Sequence, residues 1–189
     1  MFTWISKAAI DGAASLALIG LLAACQVTPG ALTLSRQTRS LSVLSGAMQV
    51  AAPAGYCVDK QSARQQADGA VVLIGRCSGA SQQPPALISV TIGAAGSAGV
   101  LAGGDAALAA FFRSPNGRAA LSRTGSAETV QILATANFDG AFALHIAETG
   151  LGDYWRAVLG VSGRLVTLSV QGSNGSAIDA AVGRGLLGG

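Results

Sequence analysis

The sequence predicts an α+β domain in which an antiparallel β-sheet carries helices packed on one of its faces. Three observations predict this class. From about residue 46 onwards, short apolar runs alternate with turn residues, as is typical of strands. Helix-start signals occur at Asp105 and at Ser114-Pro115. The clearest alternation of apolar and polar residues lies between Val130 and Val170, and it predicts a C-terminal four-stranded meander.

The first half of the domain is predicted to consist mainly of strands. Alternating or continuous apolar residues place these strands at 48–52, 56–58, 70–74 and 88–92. The stretch 93–104 consists mostly of small residues, and we expect a loop there. A helix capped by Asp105 is predicted to follow, with an apolar stripe of Leu108, Phe111 and Phe112. Ser114-Pro115 then begins a second short helix.

The second half is predicted to form the meander and a closing helix. Its four strands are separated by short turns that contain glycine, and they cover residues 130–138, 142–146, 154–161 and 164–170. The first of these turns, Asp139-Gly140, is a typical hairpin sequence. Ser176 is expected to cap a last helix over 177–187.

The N-terminal sequence predicts an export signal. An apolar stretch at 13–24 follows Lys7, and it has the length of a signal-peptide core, too short to span a bilayer. It ends in Leu22-Ala23-Ala24-Cys25, which resembles the lipobox of bacterial lipoproteins. The resemblance implies that the Cys25 thiol receives diacylglycerol, that cleavage removes residues 1–24, and that the new amine is acylated, for example by palmitate. The alternatives are an ordinary secretory signal with a chance cysteine, an uncleaved anchor, or a buried helix that is not an export signal.

The lipoprotein resemblance implies a place in the cell envelope. Two or more acyl chains hold a protein stably on a bilayer, since each buried methylene contributes about 0.8 kcal/mol. Gln26 is compatible with the outer membrane rather than the inner one, and we expect the protein to face the periplasm. The chain is then divided into a signal peptide (1–24), the lipidated cysteine with a flexible tether (25–45) and a single α+β domain (46–189).

Two cysteines remain after Cys25 is lipidated. Cys57 and Cys77 lie in or just after predicted strands, and an even pair in an oxidising compartment favours a disulfide bond. If the two strands are antiparallel neighbours, their Cα atoms fall within disulfide reach. The alternative is a pair of buried free thiols.

The predicted element order is similar to the PsbP-like α/β/α fold. The similarity covers residues 46–189 and concerns topology alone. It implies a domain that binds partner proteins or membranes, and it carries no motif from which a functional residue could be transferred.

Charge and composition argue against nucleic acid and metal ligands. The chain carries 12 basic and 9 acidic residues, for a net charge of +3, and its arginines are scattered rather than clustered. It contains a single histidine, His145, and no Cys-x-x-Cys motif. We therefore expect no nucleic acid partner, no metal site and no cofactor.

No catalytic residue is assigned from the sequence. His145 could act as a general base, but a triad also needs a nucleophile and an orienting acid, and no Gly-x-Ser-x-Gly motif is present. Tyr154 and Arg156 share one face of a predicted strand, and they are the candidate contacts with a protein partner because aromatic residues and arginine are favoured in interface hot spots.

The sequence therefore predicts a membrane-anchored envelope lipoprotein that binds a protein partner or helps to assemble a complex, without catalysis. Two alternatives stay open. One is an envelope hydrolase that uses His145. The other is a carrier of a small ligand or lipid, with an apolar pocket between the meander and the helix that contains Phe111 and Phe112.

Overall fold

Strands dominate the computed structural model, which describes residues 37–80, 82–173 and 177–188. Eight strands of this part form one antiparallel sheet in the order β1-β4-β5-β6-β10-β9-β8-β7, and β2 and β3 form a separate hairpin. In chain order the strands are β1 (Gln37–Thr38), β2 (Ser40–Val43), β3 (Met48–Ala51), β4 (Tyr56–Gln66), β5 (Gly69–Arg76), β6 (Ala86–Ala95), β7 (Val130–Phe138), β8 (Ala141–Glu148), β9 (Gly152–Val161) and β10 (Arg164–Gly172).

Helical segments follow β6 and β10. They are a 3-10 helix (Ser97–Gly103), α1 (Gly104–Arg113), α2 (Pro115–Leu121), a 3-10 turn (Ala127–Thr129) and α3 (Ala180–Leu187). The prediction that Ser114 caps α2 is confirmed, because its side chain accepts a hydrogen bond from the Gly117 N–H at 3.1 Å. Asp105 does not cap α1 and lies inside its first turn. The cap of α3 is Asp179, and Ser176 lies outside the described residues.

The predicted C-terminal meander is present as β7-β8-β9-β10, but it is only half of a larger sheet. The join is made by β10, which pairs with β9 on one side and with β6 on the other. Leu168 lies opposite Val90 and Val170 lies opposite Ile88, so the alternating apolar residues of the two strands fall on the same face. Burial of that shared face joins the two halves of the chain.

The two faces of the sheet are covered by different elements. The helical face carries Leu144, Tyr154 and Val158, which pack with residues of the 3-10 helix, α1 and α2. The opposite face, called the hairpin face, carries Val72 and Val90 among others and packs against the β2–β3 hairpin and α3. The domain is therefore α+β with a layer on each side of its sheet.

The prediction that all helices pack on one face is wrong. The closing helix α3 lies on the hairpin face, where Gly183 approaches Trp155 so closely that an added Cβ would lie 2.7 Å from Trp155 Cδ1. Successive residues of a strand point to opposite faces, so Trp155 faces α3 whereas Tyr154 faces α2.

The stretch predicted as a loop at 93–104 is ordered structure. β6 continues to Ala95, and the 3-10 helix follows at Ser97–Gly103. Ser97 Oγ accepts a hydrogen bond from the Leu165 N–H at 2.8 Å, and the Ala98 N–H donates to the Gly163 carbonyl at 3.2 Å. These bonds hold the segment against the start of β10. Its small side chains give little sequence signal for ordered structure.

The ordered domain begins before the predicted boundary at residue 46. β1 and β2 lie within the stretch assigned to the tether, and Val43 at the end of β2 is only 1% exposed. The β2–β3 hairpin packs Val43, Met48 and Val50 against the hairpin face. Residues 25–36 of the predicted tether lie outside the described residues.

Candidate ligand pocket

An apolar pocket lies between the helical layer and the sheet. Its volume is about 490 Å³, within the range of roughly 300–1,000 Å³ that is usual for small-molecule sites. All its lining side chains are apolar, and they are Val100, Leu101, Ala107, Leu108, Phe111, Phe112, Val158 and Leu165. Such a lining suits a hydrocarbon chain or another apolar group.

The floor and the wall of the pocket come from different elements. Val158 of β9 and Leu165 of β10 belong to the sheet, whereas Leu108 and Phe112 are four residues apart on one side of α1. The Phe112 ring stacks on Phe142 of β8, with centroids 6.2 Å apart and ring planes 10° apart. This stacking fixes α1 above the sheet and keeps the wall of the pocket in place.

The mouth of the pocket exposes two large apolar side chains. Val100 is 64% exposed and Phe111 is 47% exposed. The Phe111 ring meets Phe112 edge-on, with centroids 5.1 Å apart. Adjoining exposed apolar side chains at the opening of an apolar cavity are typical of a binding site rather than of an ordinary surface.

The α1–α2 junction positions the two phenylalanines. Ser114 ends α1 and caps α2, so a single residue joins the two helices. Gly117 in the first turn of α2 lies against the backbone of Phe111 and Phe112, and an added Cβ would lie 2.7 Å from Phe112 Cα. Only glycine lets α2 approach α1 this closely.

The position of the pocket agrees with one of the sequence-based alternatives. The hypothesis of a cavity between the meander and the Phe111–Phe112 helix named both phenylalanines correctly. It missed Val100 and Leu101, because the segment 93–104 was predicted to be a loop. The only local signal there is the pair Val100-Leu101 itself, which is apolar among small residues.

Tyr154 and Arg156 do not together form the exposed contact that the sequence predicts. Tyr154 is 2% exposed, so its side chain offers no area to a partner. Arg156 is half-buried beside it, with the guanidinium carbon 5.5 Å from the centre of the Tyr154 ring. The Arg156 Nε–H donates to Ser169 Oγ at 2.9 Å. Strand alternation predicted correctly that the two side chains share a face, but not that α2 covers Tyr154.

Glu148 is a buried acid that ties α2 to the sheet. It is 5% exposed, and its Oε1 accepts a hydrogen bond from the Arg123 backbone N–H at 2.7 Å. Its Oε2 accepts from the Tyr154 hydroxyl at 3.2 Å. Both carboxylate oxygens are therefore satisfied, as a buried acid requires.

Burial raises the pKa of Tyr154 from 10.0 to about 12, since Arg156 lowers it less than burial and Glu148 raise it. The folded state thus favours the neutral phenol, and the resulting stability is complete below pH 10 and is lost as the pH rises through about 12. We expect the Tyr154→Phe variant to lose less unfolding free energy between pH 9 and pH 11.5 than the unsubstituted protein does. Urea titration at each pH measures this difference. Equal losses in the two proteins would contradict this assignment.

His145 lies on the hairpin face beside Trp155. The two rings stack with centroids 4.8 Å apart and planes 5° apart. His145 Nε2 is 3.8 Å from Asp153 Oδ2, which is too far for a hydrogen bond. Among the described residues, no hydroxyl or thiol is hydrogen-bonded to His145. The imidazole therefore has no adjacent nucleophile there to activate, as hydrolysis by a triad would require.

Cys57 and Cys77 form a disulfide bond, as predicted. Cys57 lies in β4 and Cys77 directly follows β5, and these neighbouring antiparallel strands place the two Cα atoms 5.0 Å apart. The bond joins the ends of β4 and β5, at a distance of several strands from the pocket on β9 and β10.

The predicted lipobox and the predicted absence of a metal site concern different parts of the chain. Leu22, Ala23, Ala24 and Cys25 lie outside the described residues. Within the described ranges, no group of three or more His, Cys, Asp or Glu side chains is arranged to hold a metal ion. No helix in those ranges is long and apolar enough to cross a membrane.

Comparison with protein-family models, with curated proteins and with solved structures gives no match for this chain.

Proposed function

We propose that this protein is an envelope lipoprotein whose domain binds an apolar ligand in the pocket between α1 and the sheet. The observation that carries the proposal is the cavity of about 490 Å³ with an entirely apolar lining and two exposed apolar residues at its mouth. A packed helix–sheet interface normally leaves few voids larger than a water molecule, so an apolar pocket of this size between helix and sheet supports ligand binding.

The proposed location rests on the N-terminal sequence. The lipobox-like Leu22-Ala23-Ala24-Cys25 supports lipidation of Cys25, which lies 12 residues before β1. The disulfide between Cys57 and Cys77 supports an oxidising compartment such as the periplasm. An outer-membrane anchor with the domain facing the periplasm is the arrangement we propose.

Replacement of the lipidated cysteine tests the anchor. Cys25→Ser should abolish acylation, so that intact mass loses the acyl chains. Cys57→Ser combined with Cys77→Ser keeps Cys25 and serves as the control, which should stay in the membrane fraction. Acyl chains on the Cys25→Ser protein, or their absence from the unsubstituted protein, would contradict the anchor.

Organic extraction of the unlipidated Cys25→Ser chain, purified without detergent, tests the pocket. We expect mass spectrometry of the extract to show a co-purifying apolar molecule. Ala107→Trp should abolish it, because Ala107 lines the pocket and the indole would fill the opening. Ala110→Trp is the matched control on the same helix, at an exposed position outside the pocket lining. An empty extract that also fails to take up added hexadecanol would contradict the proposal.

A second candidate function, docking of a protein partner, is favoured by the edge strand β7. Its nine residues contain no charged residue and no proline, and they form one edge of the large sheet. The opposite edge consists of the two-residue β1 and the charged part of β4 around Lys60 and Arg64. Proteins usually protect sheet edges with short strands, charges or proline, so β7 is suited to accept a strand from a partner.

Leu133 offers a test of that candidate. It sits in the bulge between Ile132 and Ala134 and is 43% exposed. Leu133→Lys should abolish cross-linking of the lipoprotein to an envelope partner in intact membranes, because a charge at the edge opposes strand addition. Val71→Lys, on the exposed surface of β5, is the control and should leave cross-linking intact. Identical cross-linking in all three proteins would exclude β7 as the docking edge.

A further inference from the structure

We infer that the ligand of the pocket is a long-chain fatty carboxylate, with its chain between α1 and the sheet and its anionic end at Arg156. This inference rests on the proposed ligand-binding function. Val158, which lines the pocket, and Arg156 are two residues apart on β9 and share the helical face. At about 3.3 Å per residue, the two positions lie roughly 7 Å apart along the strand.

Polar residues connect the pocket to Arg156. Thr167 lies opposite Val158 and Ser169 lies opposite Arg156, so both hydroxyl side chains are on the helical face next to the pocket. A chain that leaves the apolar lining at Val158 therefore passes Thr167 and reaches Arg156 beside Ser169. An apolar surface that leads to a hydroxyl group and a cation suits a fatty carboxylate, whose hydrocarbon chain ends in a single anionic group.

Arg156 has donors left for a ligand. Its Nε–H donates to Ser169, which fixes one edge of the guanidinium. Within the part of the chain that the structure describes, no residue accepts a hydrogen bond from the two Nη groups, and no acid forms an ion pair with Arg156. A half-buried guanidinium without a counter-ion is suited to a carboxylate, which it binds with paired hydrogen bonds.

Neighbouring cations fit this role less well. Arg164 adjoins the pocket residue Leu165, but its Nη1 is already 3.0 Å from Asp68 Oδ1 and also donates to the Gly93 carbonyl at 2.9 Å. Arg113 follows Phe112 at the end of α1, and its side chain is exposed to solvent. One available guanidinium beside the pocket favours an anion with a single charge.

The test compares palmitate with 1-hexadecanol at pH 8, using equilibrium dialysis against the Cys25→Ser chain. Both probes carry the same hydrocarbon chain, and only palmitate carries a charge. We expect palmitate to bind more tightly, and Arg156→Gln to weaken palmitate about tenfold while leaving hexadecanol unchanged, because a hydrogen bond to a charged group is lost. Arg113→Gln is the matched control and should change neither affinity.

Each outcome separates the inference from the function on which it rests. Binding of both probes with equal affinity, unchanged by Arg156→Gln, would overturn the carboxylate assignment and leave the apolar pocket standing. A loss of palmitate binding in Arg113→Gln instead of Arg156→Gln would also overturn it. Failure of both probes to bind the unsubstituted pocket would contradict the proposed function itself.

Discussion

Removal of the Cys57–Cys77 disulfide is expected to lower the free energy of unfolding by about 3 kcal/mol. The bond closes a loop with a sequence separation of 20 residues, and cross-linking a loop of this size restricts the unfolded chain by roughly that free energy. The double variant Cys57→Ala and Cys77→Ala should therefore unfold at a lower urea concentration.

Treatment of the unsubstituted protein with a reductant is the matched control, because it removes the same bond without removing atoms. Reduction should reproduce most of the loss in the free energy of unfolding. Hexadecanol binding at low denaturant should persist in the double variant, since the disulfide joins β4 and β5 whereas the pocket lies on β9 and β10. Unfolding curves that coincide with and without reductant would contradict a stabilising role for the bond.

Gly117→Ala is expected to destabilise the protein by about 3 kcal/mol and to weaken ligand binding. The new Cβ would lie 2.6 Å from the Phe111 carbonyl carbon and 2.7 Å from Phe112 Cα. Backbone atoms cannot rotate away as a side chain can, so α1 and α2 must separate, at a cost at the upper end of overpacking. Because this movement displaces Phe111 and Phe112, the affinity for hexadecanol should fall as well.

Gly185→Ala is the control for that substitution, and its expected effect has the opposite sign. Gly185 lies in α3, and no atom is found within 4 Å of an added Cβ. Alanine restricts the unfolded chain and suits an exposed helix position, so the variant should be more stable by about 0.5–1 kcal/mol. Equal stability of the two alanine variants, measured by urea unfolding, would show that α1 and α2 do not meet closely at Gly117.

The meander could be predicted because the sequence signals that specify it lie in its own turns and strands. Asp139-Gly140 and Ser162-Gly163 each adopt positive φ at both positions, 43° and 83° in the first turn and 48° and 75° in the second. Turns of this kind match the twist of two antiparallel strands, and the sequence signals them directly. The apolar alternation of the flanking strands predicts their extent, but it does not predict the bulge after Ile132 in β7. Because of this bulge, Ile132 packs on the helical face whereas Phe138 packs on the hairpin face.

The rest of the fold depends on contacts between distant parts of the chain. The pairing of β6 with β10 joins residues about 80 positions apart, and no local pattern encodes it. The order of residues 97–103 comes from bonds to Gly163 and Leu165. The side of the sheet chosen by α3 depends on the fit of Gly183 against Trp155, which hydrophobic periodicity alone does not predict.

The candidate site likewise contains residues that local patterns predict and residues whose role depends on packing between distant elements. Phe111 and Phe112 could be found from their spacing in a helix, because the apolar stripe of a helix packs against another apolar surface. Tyr154 was misplaced because strand alternation tells which residues share a face but not which neighbour covers that face. Arg156 could be predicted as a contact residue because arginine is favoured in interface hot spots. That it has no counter-ion among the described residues is visible only once the packing around it is known.

Photo-cross-linking with a hexadecanol that carries a diazirine at the end of its chain tests the apolar pocket most directly. After irradiation of the Cys25→Ser chain and peptide mapping, adducts are expected in the two stretches that line the cavity, 100–112 and 158–165, and Ala107→Trp should suppress them. Adducts spread over the surface of the domain, or adducts that Ala107→Trp leaves unchanged, would contradict a ligand site between α1 and the sheet.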